Sequence, residues 1–205
     1  RMNRLMQDHP DLSVELLTLP RFPSLAAREA DLIVTLDPPR QGRYIATRLV
    51  DFSYGLFASR DYIARHGPIR SRTALAGHRL VGYIDEMLPS PQLNYLDQLM
   101  PKHPLRIASS GMLAQLAAVR AGLGLGVLAH YLAQGTGLIA LLPREAVWVH
   151  TFWLATHADG YRLRRVRVLW DYIRKLVEAE SDWFLAKHVR GVPRGAPEPF
   201  GGGAG

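Results

Sequence analysis

The sequence predicts a two-lobed α/β fold, and three observations predict it. Short β-rich apolar runs alternate with helical stripes along the chain. Two strands, residues 50–59 and 147–156, are longer than the rest. Those two divide the 205 residues into lobes of similar size. A chain that leaves along one long strand and returns along another builds two lobes with a cleft between them. The composition, 48% hydrophobic and 21% charged, is ordinary for a soluble globular protein.

Each element follows in order. The chain opens on Arg1 in mid-helix, so a natural beginning is expected upstream. After the turn signal His9-Pro10-Asp11, residues 12–19 (LSVELLTL) read as a buried strand. Residues 24–29 hold one short helix, and 31–36 (DLIVTL) are a second strand ending at Pro38-Pro39. Helix and strand in alternation predict a mainly parallel sheet in each lobe. Residues 50–59 (VDFSYGLFAS) are the outward strand, interrupted by Gly55, where the chain is expected to bend. A helix near 60–65 and a compact strand at 79–83 (RLVGY) follow. Residues 85–104 contain four prolines and read mostly as loop.

Residues 105–109 (LRIAS) form a strand that leads directly into a helix over 110–121. On that helix Met112, Leu116, Val119 and Leu123 fall on one stripe. A strand at 125–129 and a helical turn at 130–134 come next. The return strand 147–156 (VWVHTFWLAT) is rich in aromatics, and its Trp148, Phe152 and Trp153 are expected to fill core near the hinge. The last helix, 161–180, repeats apolar residues at Val166, Leu169, Ile173, Leu176 and Val177. Beyond Lys187 the composition is that of a disordered tail. The expected division is therefore residues 1–56 with 151–182 as lobe I, 57–150 as lobe II, and 183–205 as a flexible tail.

The composition also narrows function. The absence of cysteine removes disulfides, thiolate catalysis and cysteine-ligated zinc, and fits a reducing cytoplasm. No run of about 18 apolar residues exists, so no helix spans a membrane. A net charge of +7 invites a nucleic-acid reading, but the charge is spread. Its densest knot, Arg162, Arg164, Arg165 and Arg167, reads best as a solvated helix face. For an enzyme, G-x-S-x-G, H-E-x-x-H and G-x-x-x-x-G-K are all missing. His150 and His157 would point to opposite faces of one strand, and Asp85-Glu86 lie in a loop. No catalytic residue, metal ligand or cofactor is therefore expected.

The stretch AVRAGLGLGVLA, residues 118–129, looks like a nucleotide loop. A phosphate cradle needs strand, glycines and then helix, because the phosphate sits on the helix N-terminus. Here the helix comes first. The spacing is GxGxG, with Val127 where a third dinucleotide glycine or alanine would stand. The mechanical reading is a left-handed residue at Gly122 closing the helix, followed by a strand that a neighbouring backbone approaches closely.

With these residues in view, the segment RIASSGMLAQLAAVRAGLGLGVLAHYLA resembles the effector-binding domain of LysR-type transcriptional regulators. HPDLSVEL, READLIVTL and RLVDFSYGLFASRDYIARHGPIRS resemble further family segments in the same order, so the likeness runs from residue 1 to about 180. Departures are His130, where the family often has proline, the short connection 19–28, and the absence of the first effector-domain strand and its loop. The winged helix-turn-helix DNA-binding domain is also absent.

The resemblance implies a type 2 periplasmic-binding-protein-like fold, with two lobes joined by two crossover strands. It implies a small effector in the interlobe cleft, an organic anion or an aromatic, whose binding closes the lobes and re-aims DNA-binding domains through a homodimer or tetramer. DNA would be contacted only through the missing domain, in the cytoplasm and with no membrane partner. Dimer contacts are expected from residues 1–7 and 12–19 against the partner's helix 110–121. An extracytoplasmic solute-binding protein, or an enzyme on the same fold, is the alternative.

Ligands of open α/β sheets sit beyond the carboxyl ends of the strands. That rule selects Thr18, Leu36, Asp37, Tyr83, Ser109, Ser110, Gly111 and Met112, with Thr35 as a further hydroxyl. Ser109-Ser110-Gly111 is the foremost candidate, since hydroxyls and free backbone N–H groups before a helix suit a carboxylate. Ser110 is equally suited to capping its own helix.

Overall fold

The computed structural model describes residues 2–17, 29–39, 42–100 and 105–185. Helix α1 (Met2–Asp8) buries Leu5. The run expected as the first strand carries no strand over 12–17. Leu16 and Leu17 are 86% and 57% exposed there, so among the described residues the apolar pattern that suggested burial is not covered at its end. The short helix expected at 24–29 lies outside the described residues except for Glu29.

Strand β1 (Ile33–Thr35) is followed by β2 (Tyr44–Ala58), which runs unbroken through Gly55. A Cβ on Gly55 would come within 2.7 Å of the His130 ring, so this glycine makes room for a neighbour and does not bend the strand. Helix α2 (Arg60–His66) starts at Ser59, whose hydroxyl accepts the Tyr62 N–H at 3.1 Å, and carries Arg65 and His66 in its last turn. A 3₁₀ turn (Thr73–Gly77) leads to β3 (Leu80–Tyr83).

The proline-rich stretch expected as loop contains two 3₁₀ turns, Asp85–Met87 and Pro91–Leu93, and a short helix α3 (Tyr95–Leu99) with Tyr95, Leu96 and Leu99 buried. Five residues are too few for a helical period to stand out. Then come β4 (Leu105–Ser109), α4 (Met112–Arg120), β5 (Leu125–Ala129), α5 (His130–Ala133) and β6 (Ile139–Leu141). The return strand is β7 (Val147–His157). The helix expected over 161–180 is divided into α6 (Ala158–Tyr161) and α7 (Arg164–Ala179), and Ser181–Phe184 form α8.

The hydrogen-bonding order of the strands is β1-β7-β2-β5-β3-β4, with β6 on β2. The sheet is mixed. β3 runs parallel to β5, but β1 pairs antiparallel with β7, and β2 antiparallel with β5 and β6. A mainly parallel sheet would need a crossover helix between successive partners. The long strands β2 and β7 instead lie beside strands that run against them.

Two compact units emerge. Arg1–Val50, Tyr83–Asn94 and Thr151–Ser181 form the first, and Asp51–Gly82, Tyr95–His150 and Asp182–Gly205 the second. In the first unit Val166 and Trp170 of α7 are buried, and Thr156 donates to the Asp31 carbonyl at 2.7 Å. In the second, Phe57, Val81, Val119, Leu128 and Ala133 make a buried cluster against which Met112 and Leu116 pack. Leu123, expected on the same stripe, is exposed. Trp148 of β7 lies 4.6 Å from the Tyr95 ring and donates its Nε1–H to Gln98 at 2.7 Å.

Candidate functional site

In the second unit, β4 delivers Ser109, Ser110 and Gly111 to the start of α4. The Ser109 hydroxyl accepts the Gly111 N–H at 3.1 Å and donates to the Gly111 carbonyl at 3.3 Å, a closed local turn. The Ser109 carbonyl accepts from Nε2 of the buried Gln115 at 3.5 Å, which fixes the strand end to the helix. Ser110 is exposed and has no hydrogen-bond partner among the described residues. The helix cap is Gly111, which makes no side-chain cap bond, and no side chain among the described residues accepts from the opening N–H groups of α4. Ser110 therefore does not cap its helix. Its hydroxyl and those N–H groups are donors left to water or a ligand. Met112 faces the core cluster, so only its backbone remains for a site.

The glycines at the other end of α4 are mechanical. Gly122 has φ +71°, closing the helix in the left-handed region. A Cβ on Gly124 would lie 2.6 Å from the Arg79 carbonyl oxygen, and one on Gly126 2.6 Å from Val119 Cγ2. Each glycine admits a neighbour and leaves no cradle for phosphate.

In the first unit the candidate residues gather at the end of β1. Thr35 and Leu36 are buried and Asp37 is exposed. Thr35 Oγ1 donates to the Asp37 carbonyl at 3.0 Å and accepts its N–H at 3.3 Å, so the backbone of Asp37 is held from behind. The Asp37 carboxylate accepts from Ser90 Oγ at 2.9 Å and from Gln92 Nε2 at 2.5 Å. Ser90 and Gln92 had no place among the sequence candidates. They lie 53 and 55 residues from Asp37 in a stretch read as loop, where no periodicity signals a partner. Tyr83 ends β3 in this unit and is half-buried. Thr18 lies outside the described residues.

Among the described residues no group of histidines and carboxylates could hold a metal ion. No helix among them is long and apolar enough to cross a membrane. The titratable cluster of the second unit lies elsewhere. The Tyr62 ring stacks on His66 at 4.1 Å, its hydroxyl accepts the Arg79 N–H at 3.1 Å, and it lies 3.2 Å from His78 Nδ1. The Tyr62 hydroxyl keeps a proton and a second lone pair beside the Arg79 bond, so it can donate to a bare His78 Nδ1 or accept from a protonated one. Burial and then the nearby His66 hold His78 below its ordinary value of 6.5.

Comparison with known proteins adds the following. Residues 1–178 match the family model of the LysR substrate binding domain. The regulatory domain of CrgA, a LysR-type transcriptional regulator from Neisseria meningitidis, is similar in structure with a TM-score of 0.74 at 23% identity, over 85% of this chain and 88% of that one. The regulatory domain of MetR, a LysR family regulator from N. meningitidis, gives 0.61 at 16%, over 87% and 86%. Full-length AphB, a Vibrio cholerae virulence activator, gives 0.66 at 21%, over 85% of this chain but only 62% of that one. This chain also spans 62% of full-length CrgA. Comparison with curated proteins gave no match.

Proposed function

The chain belongs to the LysR substrate binding domain family, and on that premise we propose that it is the effector-sensing part of a LysR-type transcriptional regulator. The effector is a small molecule, and the residues that meet it are those at the carboxyl ends of the strands. Ser110 and the backbone N–H groups of Gly111 and Met112 serve this role in the second unit. Thr18, Asp37 with the backbone of Leu36, and Tyr83 serve it in the first. The observation that carries the reading is the open end of α4, where a helix starts on a glycine, beside a serine whose hydroxyl has no partner among the described residues. An organic anion or the carboxylate of an aromatic acid suits those donors.

In this reading DNA is contacted by a separate winged helix-turn-helix domain, in the cytoplasm, and the arginines of α7 are a solvated face. The regulator works as a homodimer or tetramer. Helix α4 supports that part. Leu113 is 69% exposed and Ala114 and Ala117 are exposed beside it, so the helix is apolar on the side away from its own core as well. A second copy presenting α1 and the exposed Leu16 and Leu17 would cover it.

A thermal-shift screen of metabolites tests the effector, because a ligand that binds only the folded form must raise the melting temperature. The reading expects at least one small-molecule hit that Ser110→Ala weakens, and no sequence-specific shift of DNA by this chain alone. A screen without a hit, or a monomer at high concentration in sedimentation, counts against it.

A further inference from the structure

The Asp37 carboxylate is held in one orientation by three residues, and none of them neutralises it. Thr35, 3% exposed, fixes the Asp37 backbone through both its hydroxyl contacts. Ser90, 2% exposed, accepts the Gln92 N–H at 3.3 Å, which leaves its own hydroxyl proton for Asp37 Oδ2 at 2.9 Å. The Gln92 side chain donates to the other oxygen, Oδ1. One 3₁₀ turn thus grips both oxygens with neutral donors. A carboxylate can accept about four hydrogen bonds. Two sites therefore remain on an exposed, ionised group that pairs with no lysine or arginine among the described residues. Two other acids of the same unit behave differently: Asp31 meets Arg165 at 3.9 Å and Asp159 meets Arg43 at 3.6 Å.

We propose that Asp37 is a specificity-determining residue that selects effectors carrying a cationic nitrogen, with Ser90 and Gln92 as its positioning residues. A group already fixed in its binding geometry loses no rotamer freedom when a ligand arrives, so its charge is spent on recognition. A cationic N–H donor satisfies the remaining lone pairs and the charge together, whereas a second carboxylate at this point is repelled. A salt link within the chain would have served a purely structural role equally well, and none is made among the described residues. The inference rests on the effector-binding reading above and names the chemistry of one of its residues.

The test uses the whole chain as wild type, Asp37→Asn and Ser90→Ala. Each is screened by thermal shift, and hits are measured by calorimetry, against putrescine, agmatine, 2-phenylethylamine, L-arginine, L-phenylalanine, 3-phenylpropanoate and citrate. Melting without ligand and circular dichroism establish that the variants are folded. Asp37→Asn keeps the size and removes the charge, and its amide nitrogen replaces one of the two accepting oxygens, a loss that melting without ligand reads. The expected result is that hits bear a cationic nitrogen, that Asp37→Asn weakens them about ten-fold or more, and that Ser90→Ala weakens them less. Hits that Asp37→Asn leaves unchanged, or hits confined to the two carboxylates, overturn the proposal alone. A gain in carboxylate binding by Asp37→Asn supports it, because the repulsion that excluded a second carboxylate is then removed. No hit on any of the three proteins overturns it together with the effector reading on which it stands.

Discussion

A methyl group added at Gly124 would lie 2.6 Å from the Arg79 carbonyl oxygen, whereas one added at Gly111, at the other end of α4, would meet nothing within 4 Å. Both ends of this helix are built from small residues in the same unit, and the space around each tells them apart. At the C-terminal end Gly122 is bound through its carbonyl to Arg65 Nη2 at 3.2 Å, and Gly126 is packed by Val119. At the N-terminal end Ser110 touches no partner among the described residues, and no side chain caps the helix. Small residues against a wall serve the fold. Small polar residues facing open space leave room for a ligand.

The largest effect expected from this contrast is at Gly124. The Arg79 carbonyl that a side chain would strike also accepts the Leu125 N–H at 2.9 Å, so it cannot retreat without loosening the start of β5. Gly124→Ala should cost about 3 kcal/mol by chemical denaturation, at the upper end of what overpacking costs. Gly126→Ala meets a side-chain methyl group and should cost about 2 kcal/mol. Gly122→Ala must hold a left-handed residue and should cost about 1–2 kcal/mol. A variant at Gly124 as stable as the wild type would break the contrast at its firmest point.

The jammed end also carries a pH dependence that the open end lacks. His78, held below 6.5 in the folded chain by burial and then by His66, binds protons less readily there than in the unfolded chain. Stability rises with pH wherever the unfolded state binds more protons. The contribution is therefore complete above about pH 7 and is lost as pH falls through 6.5 toward the lowered value. Partial exposure keeps it small. Melting temperature followed from pH 7.5 to 5 should fall less steeply in His78→Asn than in the wild type, and identical slopes would remove His78 from the account.

The same contrast explains how much was legible in the sequence. Helix α7, with Val166, Leu169 and Ile173 at helical spacing, and strand β5, a short apolar run after a glycine, follow from local pattern. So does the left-handed Gly122. What escaped is what depends on partners distant in the chain. Strand β6 is three residues long and owes its form to β2. Residues 12–17 have a strand's composition and no strand partner among the described residues. Gly55 read as a bend because the ring that fills its place belongs to His130. At the candidate site, Ser109–Gly111 and Asp37 were found because strand ends can be located from pattern. Ser90 and Gln92 were not, because nothing near them announces a carboxylate more than fifty residues away.

The smallest stability effect is expected at the open end, and it is the most informative. Ser110 makes no bond among the described residues, so Ser110→Ala should leave stability within about 0.5 kcal/mol of the wild type. Gly111→Ala adds a side chain in free space at φ −129°, where any residue is comfortable. Its loss as a cap and its gain in unfolded-state rigidity are of similar size, so it too should stay within about 0.5 kcal/mol. A hydroxyl that donates to a ligand carboxylate contributes about 1.5 kcal/mol or more, so Ser110→Ala should weaken an effector that binds there about ten-fold. Calorimetry on the hit from the metabolite screen reads the second effect, and denaturation reads the first. If both are nil, the open end of α4 is simply surface. If stability falls while binding holds, Ser110 bonds to the fold after all, and the difference drawn between the two ends of the helix is lost.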